Sequence, residues 1–267
     1  MKSNQNQDEP VSVYDDPSIY DILMTPGTAD EVNVLQRIHR RLVAPSAAAL
    51  PWLEPACGSG RLLRVIAGRG RRVSGYDLSP AMVSYAARRL AAADLDGLAD
   101  VVVADLASGP GGIEPEAFGF AFNTWNTIRH LMDDAAVVSH LNATARCLAP
   151  GGRYVLGLSL VEPGGAVFEE DVWTAVRGSC RVTQVVNYLP PAPDSRIELV
   201  LSHLTVTRPS GETHGDTIDR LRTYSSEEWA DLLQRSDMSR VASLDLKGSP
   251  RGDVALPYQL EVLAPRS

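Results

Sequence analysis

Short apolar runs alternate along this chain with stretches in which apolar residues recur every three or four positions. Between about residues 50 and 160 the short runs fall near 50–54, 72–77, 99–104, 117–123 and 153–160, and helical patterns fill the gaps. Strands separated by helices predict βαβ units and a mostly parallel sheet, an α/β fold. Ahead of this region Val32, Leu35, Ile38 and Leu42 trace one face of a helix that Asp30 can cap and that ends before Pro45. Ser79 as N-cap and Pro80 as first helical residue open the clearest helix, "AMVSYAARRLAAA". Another, over about 134–148, carries Val137, Val138, Leu141, Ala145 and Leu148 and is predicted to stop at "APGG". Pro51 has no amide hydrogen to give a central ladder, so the first strand begins after it and is short.

After about residue 170 the period changes. "SCRVTQVVNYL", "RIELVLSHLTVT" and "THGDTIDRLRTY" read as strands, separated by the turn sequences "PPAPDS" and "RPSG", and predict an antiparallel meander inserted into the α/β domain over about 170–224. In the middle strand Ile197, Leu199 and Leu201 share one parity while Leu204 and Val206 take the other; either a β-bulge at Ser202 or His203 resets the phase, or both faces are buried, one against the core and one against a partner chain. A helix from "SSEEW", with Ser226 as its cap, and strands near 239–246 and 256–263 return the chain to the main sheet. The expected parts are a tail and cap helix over 1–49, a core over 50–169, the insertion, and a return to the core over 225–267, with the first ten residues having the composition of a disordered tail.

Charge and cysteines narrow the partners. The chain has 25 basic and 33 acidic residues, a net charge of −8, which disfavours a nucleic-acid backbone as ligand. A cluster of Arg61, Arg64, Arg69, Arg71 and Arg72 reads as a solvated helix face and loop. Cys57, Cys147 and Cys180 are too few and too scattered for a disulfide framework or a metal site, so a reducing, cytoplasmic setting is expected and no metal. The polar start "MKSNQNQDEP" is followed by no apolar signal core, and no apolar run nears the roughly 20 residues that span a bilayer, so export by that route and membrane spanning are not expected.

The chemistry concentrates in "LEPACGSGRLL", residues 53–63. Gly58 and Gly60 lie between strand and helix, where backbone amides approach a ligand closely and the helix N-terminus favours an anion. The dinucleotide fingerprint fails, because Leu63 stands where its third glycine would be and Glu54 disfavours a pyrophosphate. An acid before the loop and a helix N-terminus after it suit a ligand carrying both an ammonium and a carboxylate. S-adenosylmethionine has both. Asp77, ending the second strand, can accept from both ribose hydroxyls, and Asp105, ending the third, can meet the adenine amino group. Cys57 has no base near it in sequence and reads as small packing.

As an ordered set, "LEPACGSG", "GYDLS", "ADL" and "CLAPGGRYVL" resemble the motifs of the class I S-adenosylmethionine-dependent methyltransferases over roughly residues 50–160. The resemblance implies a Rossmann-like, seven-stranded, mostly parallel sheet whose last two strands form a hairpin. It implies cofactor contacts at Glu54, Ala56, Gly58, Gly60, Asp77, Leu78, Asp105, Leu106 and Asn123.

The acceptor should lie after the fourth strand, where this chain reads "FGFAFNTWNTIRHLMDD". Family members acting on adenine or glutamine amides carry Asn-Pro-Pro-aromatic there, whereas this chain has Asn123, Thr124, Trp125 and Asn126, which argues against nucleic acid again. Tyr20 in "IYDILM", ahead of the first helix, His130 in "NTIRHL" and the insertion resemble the small-molecule methyltransferases, among them N-methyltransferases of nucleotide-linked amino sugars. On that resemblance Tyr20 and His130 face the acceptor, and His130 has a pKa range suited to accepting a proton. The insertion's apolar surface makes it a plausible homodimer contact. Three readings remain: a small-molecule N- or O-methyltransferase, a nicotinamide-dependent reductase opposed by Leu63 and Glu54, and a cofactor-binding protein without turnover.

Overall fold

The structure is a computed structural model and describes residues 12–162, 164–192, 195–252 and 258–266; the polar start of the chain and part of the "PPAPDS" turn lie outside these. In chain order the elements are α1 (Pro17–Met24), α2 (Thr28–Leu42), β1 (Trp52–Pro55), α3 (Arg61–Gly68), β2 (Val73–Asp77), α4 (Pro80–Ala91), β3 (Ala99–Val103), β4 (Phe118–Asn123), α5 (Asp134–Cys147), β5 (Leu148–Leu158), β6 (Glu169–Arg177), β7 (Cys180–Leu189), β8 (Ile197–Arg208), β9 (Gly211–Arg222), α6 (Ser226–Gln234), β10 (Met238–Leu244) and β11 (Gln259–Pro265). The chain divides into two compact units, the larger spanning Gly27–Ala166 with Leu221–Ser267, the smaller the chain up to Pro26 with Val167–Arg220.

In the larger unit seven strands follow the order β10-β11-β5-β4-β1-β2-β3. β1 pairs in parallel with both β2 and β4, while β11 runs antiparallel to β5 and to β10, giving the expected C-terminal hairpin. The order reverses between β1 and β4, and in open parallel sheets such a reversal opens a crevice at the strands' C-terminal ends. Alternation along β1 feeds two cores. Trp52 packs with Phe120 and Phe122 and with Leu35 of α2, Leu63 of α3 and Leu90 of α4 on one face. Leu53 packs with Tyr154, Leu141 of α5 and Trp229 of α6 on the other. The strand starts at Trp52, as Pro51 requires, and all of its residues are buried.

Several boundaries differ from the pattern. α2 begins at Thr28 behind Gly27, which is left-handed at φ 78°, so Asp30 sits in the first turn and acts through the helix dipole instead of as the cap. α5 does not stop at a loop: β5 starts at Leu148 and absorbs "APGG", with Gly151 at φ 84° and a register shift against β4 between Phe118 and Phe120. α6 is capped by Ser225, not Ser226, in a reciprocal capping box with Glu228.

The smaller unit is a four-stranded sheet of order β6-β7-β8-β9 with α1 packed on it. α1 takes up "IYDILM", which the pattern leaves ahead of the first helix, and Asp16 caps it by accepting from Ser18 N and Ile19 N. Ile19, Ile22 and Leu23 of α1 meet Ala175, Val182, Leu204 and Val206 of the sheet. The bulge expected in β8 is absent. Its ladder with β7 runs unbroken from Leu199 to Thr207, and the buried parity is Glu198, Val200, Ser202, Leu204 and Val206. Ser202 Oγ accepts from Gln184 Nε2 at 2.5 Å, so polar groups share the buried face while Leu199 turns outward.

Gly75, in β2, has the tightest bearing on the loop behind β1. A Cβ there would lie 2.9 Å from both Cβ and Sγ of Cys57 and 2.7 Å from Leu63 Cδ1. Gly75→Ala should therefore cost about 1–3 kcal/mol of stability through overpacking. Gly97→Ala, where a Cβ meets nothing within 4 Å, should be close to neutral; denaturant titration of both variants checks the contrast.

Candidate active site

β1 is left through a chain of tight backbone turns. Ala56, Gly58 and Gly60 are left-handed at φ 50°, 54° and 69°. For Ala56 that conformation costs about 1–2 kcal/mol, and it persists only because the surroundings hold it. Cys57 N donates to the Tyr76 carbonyl at 2.9 Å, and Gly58 N donates to Asp77 Oδ2 at 2.8 Å. The other Asp77 oxygen accepts from Ser79 N at 2.9 Å, so one carboxylate at the end of β2 braces both its own turn and the neighbouring glycine loop. Cys57 is buried, and desolvation followed by the nearby Glu54 and Asp77 pushes its thiol well up, so it is a packing residue.

Glu54 is 6% exposed, and its Oε2 has no hydrogen-bond partner among the described residues. Burial raises its carboxyl well above the ordinary range; Arg61 opposes the rise, and Glu31 and Asp77 add to it. On the adjacent strand Asn123 Nδ2 donates to the Pro55 carbonyl at 2.6 Å, which fixes the amide's orientation and leaves its buried Oδ1 without a partner among the described residues. Two unpaired acceptor oxygens thus stand at the C-terminal ends of the paired strands β1 and β4.

Asp105 follows β3 and is exposed; its Oδ1 accepts from Ala107 N at 2.8 Å and Ser108 N at 3.3 Å, holding its own turn. Leu78 is 65% exposed after β2. Leu106 is half-buried, and its carbonyl is held by His140 Nδ1 at 2.8 Å, a contact that sequence reasoning missed. A carbonyl only accepts, so Nδ1 carries the proton and Nε2 accepts from the Tyr154 hydroxyl at 2.8 Å. Burial lowers His140 to about 4, and the ring stays neutral as a brace for the turn at Leu106.

Arg61 corrects the reading of the arginine cluster. Arg69 and Arg72 are on the surface, but Arg61, the first residue of α3, is buried, and its Nη1 donates to Glu31 at 2.6 Å and Thr28 Oγ1 at 3.2 Å. Its guanidinium lies 5.4 Å from the centre of the Trp125 ring, which follows β4. His130 is exposed at the end of the short 3₁₀ turn Thr127–His130 in the same larger unit. Tyr20 lies on α1 of the smaller unit, half-buried, with its ring 5.7 Å from that of Tyr14. Among the described residues no group of three His, Cys, Asp or Glu side chains could hold a metal ion.

These residues fit S-adenosylmethionine on the structure's own terms. The unpaired oxygens of Glu54 and Asn123 need donors, which an ammonium supplies; Asp77 and Asp105 each keep acceptor capacity beyond their turn bonds; and Leu78, directly after Asp77, presents an exposed apolar side chain. Fold, switch point and glycine loop define the class of the S-adenosylmethionine-dependent methyltransferases. Residues 53–152 match the methyltransferase domain family, and the chain thus carries a methyltransferase domain, with S-adenosylmethionine the cofactor of its class. No curated protein sequence matches the chain.

Solved structures agree on the fold. The chain superposes on DesVI from Streptomyces venezuelae with a TM-score of 0.73 at 19% identity, covering 96% of this chain and 100% of that one. It superposes on the sugar N-methyltransferase KedS8 from Streptoalloteichus sp ATCC 53650 with a TM-score of 0.69 at 22% identity, covering 100% and 98%. CalS10, an amino pentose methyltransferase from Micromonospora echinaspora involved in calicheamicin biosynthesis, gives 0.68 at 19% identity, with both chains covered in full.

The raised Glu54 carboxyl sets a pH dependence. Between the ordinary 4.5 and its raised value the folded chain holds a proton that the unfolded chain has lost, so stability falls as pH rises through that window, by up to about 1.4 kcal/mol per pH unit. Glu54→Gln should therefore melt higher than the parent in the absence of ligand, with the gap growing from pH 5 to pH 8. Thermal melts across that range check it, and a constant gap would contradict it.

Proposed function

We propose that this methyltransferase acts on a small molecule and methylates it on nitrogen or oxygen. The observation that carries the reading is the pair of unpaired buried oxygens on Glu54 and Asn123 beside a braced glycine loop, a site built for a zwitterion's ammonium. The neighbours named as sugar N-methyltransferase and amino pentose methyltransferase support a sugar-like, amine-bearing acceptor. Thr124, Trp125 and Asn126 after Asn123, where amide- and adenine-directed enzymes carry Pro-Pro-aromatic, support it too.

S-adenosylmethionine supplies a methyl group on an electrophilic sulfonium carbon. The chain's residues bind and orient around that chemistry. Glu54 and Asn123 hold the amino end, Asp77 the ribose hydroxyls, and Asp105 with Leu78 and Leu106 the adenine, while backbone of Ala56, Gly58 and Gly60 shapes the loop. His130 is the candidate to take a proton from an acceptor that arrives protonated, and Tyr20 is a separate candidate acceptor contact.

A cytoplasmic setting fits the three free cysteines. Among the described residues no helix is long and apolar enough to cross a membrane. A homodimer through the smaller unit is supported by Val172, Leu199 and Ile218, which share one face of its sheet and are 58%, 39% and 67% exposed.

Calorimetry should show binding of S-adenosylmethionine and its demethylated product and none of NADH. Asp77→Ala and Asp105→Ala should each weaken cofactor binding by about 1–3 kcal/mol, the usual loss with a charged hydrogen-bonding partner. Incubation with amino sugars and their hydroxy counterparts, read by mass spectrometry for a methyl mass increment, identifies the acceptor. Parent affinity in both variants would sink the assignment of the site.

A further inference from the structure

One carboxylate in the larger unit joins the glycine-loop side of the site to the segment after β4. Glu31, in the first turn of α2, accepts from Arg61 Nη1 at 2.6 Å, from Thr124 Oγ1 at 2.5 Å, and from the indole Nε1 of Trp125 at 3.1 and 3.2 Å. Arg61 directly follows Gly60; Thr124 and Trp125 directly follow Asn123. Both Arg61 and Glu31 are close enough to act on the buried carboxyl of Glu54. The cluster therefore borders the place where a ligand's ammonium would sit.

Trp125 and Asn126 are both left-handed, at φ 64° and 61°, a conformation that asparagine tolerates but that is costly for tryptophan. The pair is held from several directions. Trp125 N donates to the Tyr258 hydroxyl at 3.0 Å, and the Asn126 side chain donates to Ser159 Oγ at 2.9 Å and accepts from Ser159 N at 2.6 Å. Yet the Trp125 indole remains 50% exposed. A large aromatic ring, fixed by strain and hydrogen bonds with half its surface open, is a preorganised recognition surface.

We propose that Glu31 is a positioning residue that couples the carboxylate end of the bound cofactor, through Arg61, to Trp125, the surface on which the methyl acceptor packs. This rests on the reading of the site as that of an S-adenosylmethionine-dependent methyltransferase. A carboxylate arriving at Arg61 competes with Glu31 for the guanidinium and repels it, since two anions then face one cation. Glu31 must yield part of that contact, and its remaining partners, Thr124 and Trp125, move with it. The acceptor surface is thereby set only once the amino-acid end of the cofactor is in place. The acceptor that such a surface fits has an apolar ring face to lay on the indole.

Tryptophan fluorescence separates the outcomes, because of the chain's four tryptophans Trp52 and Trp229 are fully buried, Trp173 is half-buried on β6 of the smaller unit, and the difference between the parent and Trp125→Phe isolates the signal of Trp125. The probes are S-adenosylhomocysteine and 5′-methylthioadenosine, which shares its adenosine and thioether and lacks the amino-acid end, with binding followed in parallel by calorimetry. S-adenosylhomocysteine should shift the Trp125 emission and its quenching by acrylamide, 5′-methylthioadenosine should bind without doing so, and Glu31→Gln should bind S-adenosylhomocysteine silently. An equal response to both ligands, a parental response in Glu31→Gln, or silent binding of S-adenosylhomocysteine to the parent overturns the coupling. Should Glu31→Gln fail to fold, Arg61→Lys replaces it: S-adenosylhomocysteine should lose about tenfold in affinity relative to 5′-methylthioadenosine, and an unchanged ratio overturns the coupling. If the parent binds neither ligand, the methyltransferase reading itself falls, and the coupling falls with it.

Discussion

A strand of four residues, paired on both edges and covered on both faces, leaves its third residue almost no contact with water. That constraint on β1 puts the carboxyl of Glu54 inside the molecule. Pro51 bars the strand from starting earlier, and the left-handed Ala56 ends it. A longer strand would carry its terminal acid out to solvent, where an ordinary pKa and a hydration shell await it. Here the acid stays desolvated at a cost to the folded chain, a cost that the ammonium of the proposed cofactor would offset. The brace from Asp77 to Gly58 and the missing side chain at Gly75 keep the loop closed over the same spot.

What was legible in the sequence is what local rules control. Glu54 lies one residue before the end of β1, Asp77 ends β2 and Asp105 follows β3 by two residues, and alternation of apolar runs with helical stripes places those strand ends along one edge of a sheet. Arg61 was hidden because its neighbours Arg64, Arg69, Arg71 and Arg72 share its composition; only its place at the head of α3, beside α2, buries it. Glu31 gave no signal at all, since its partners lie 30 to 94 residues away. His140 reads as a polar interruption in an amphipathic helix, and its partner Leu106 is 34 residues distant.

The smaller unit shows where hydrophobic period misleads. Its first strand opens with Glu169, Glu170 and Asp171, which conceal β6 from a search for apolar alternation. In β8 the parity rule holds only if polar side chains count as buried when they are hydrogen-bonded. Glu198 and Ser202 lie on the inner face with Gln184, and Leu199 lies outside. A bulge would have aligned the leucines at the expense of an unbroken ladder of backbone bonds, and the ladder prevails.

The bend after β4 has a consequence for how such an enzyme diversifies. Asn126 fixes the backbone by its tie to Ser159, and asparagine is among the few residues besides glycine that tolerate the left-handed region. The position ahead of it contributes a side chain to a frame whose path is set by its neighbours. Exchange at residue 125 can therefore alter what the surface accepts while the chain trace survives, whereas exchange at residue 126 alters the trace itself. Lineages drifting toward new acceptors would be expected to vary the first position and keep the second.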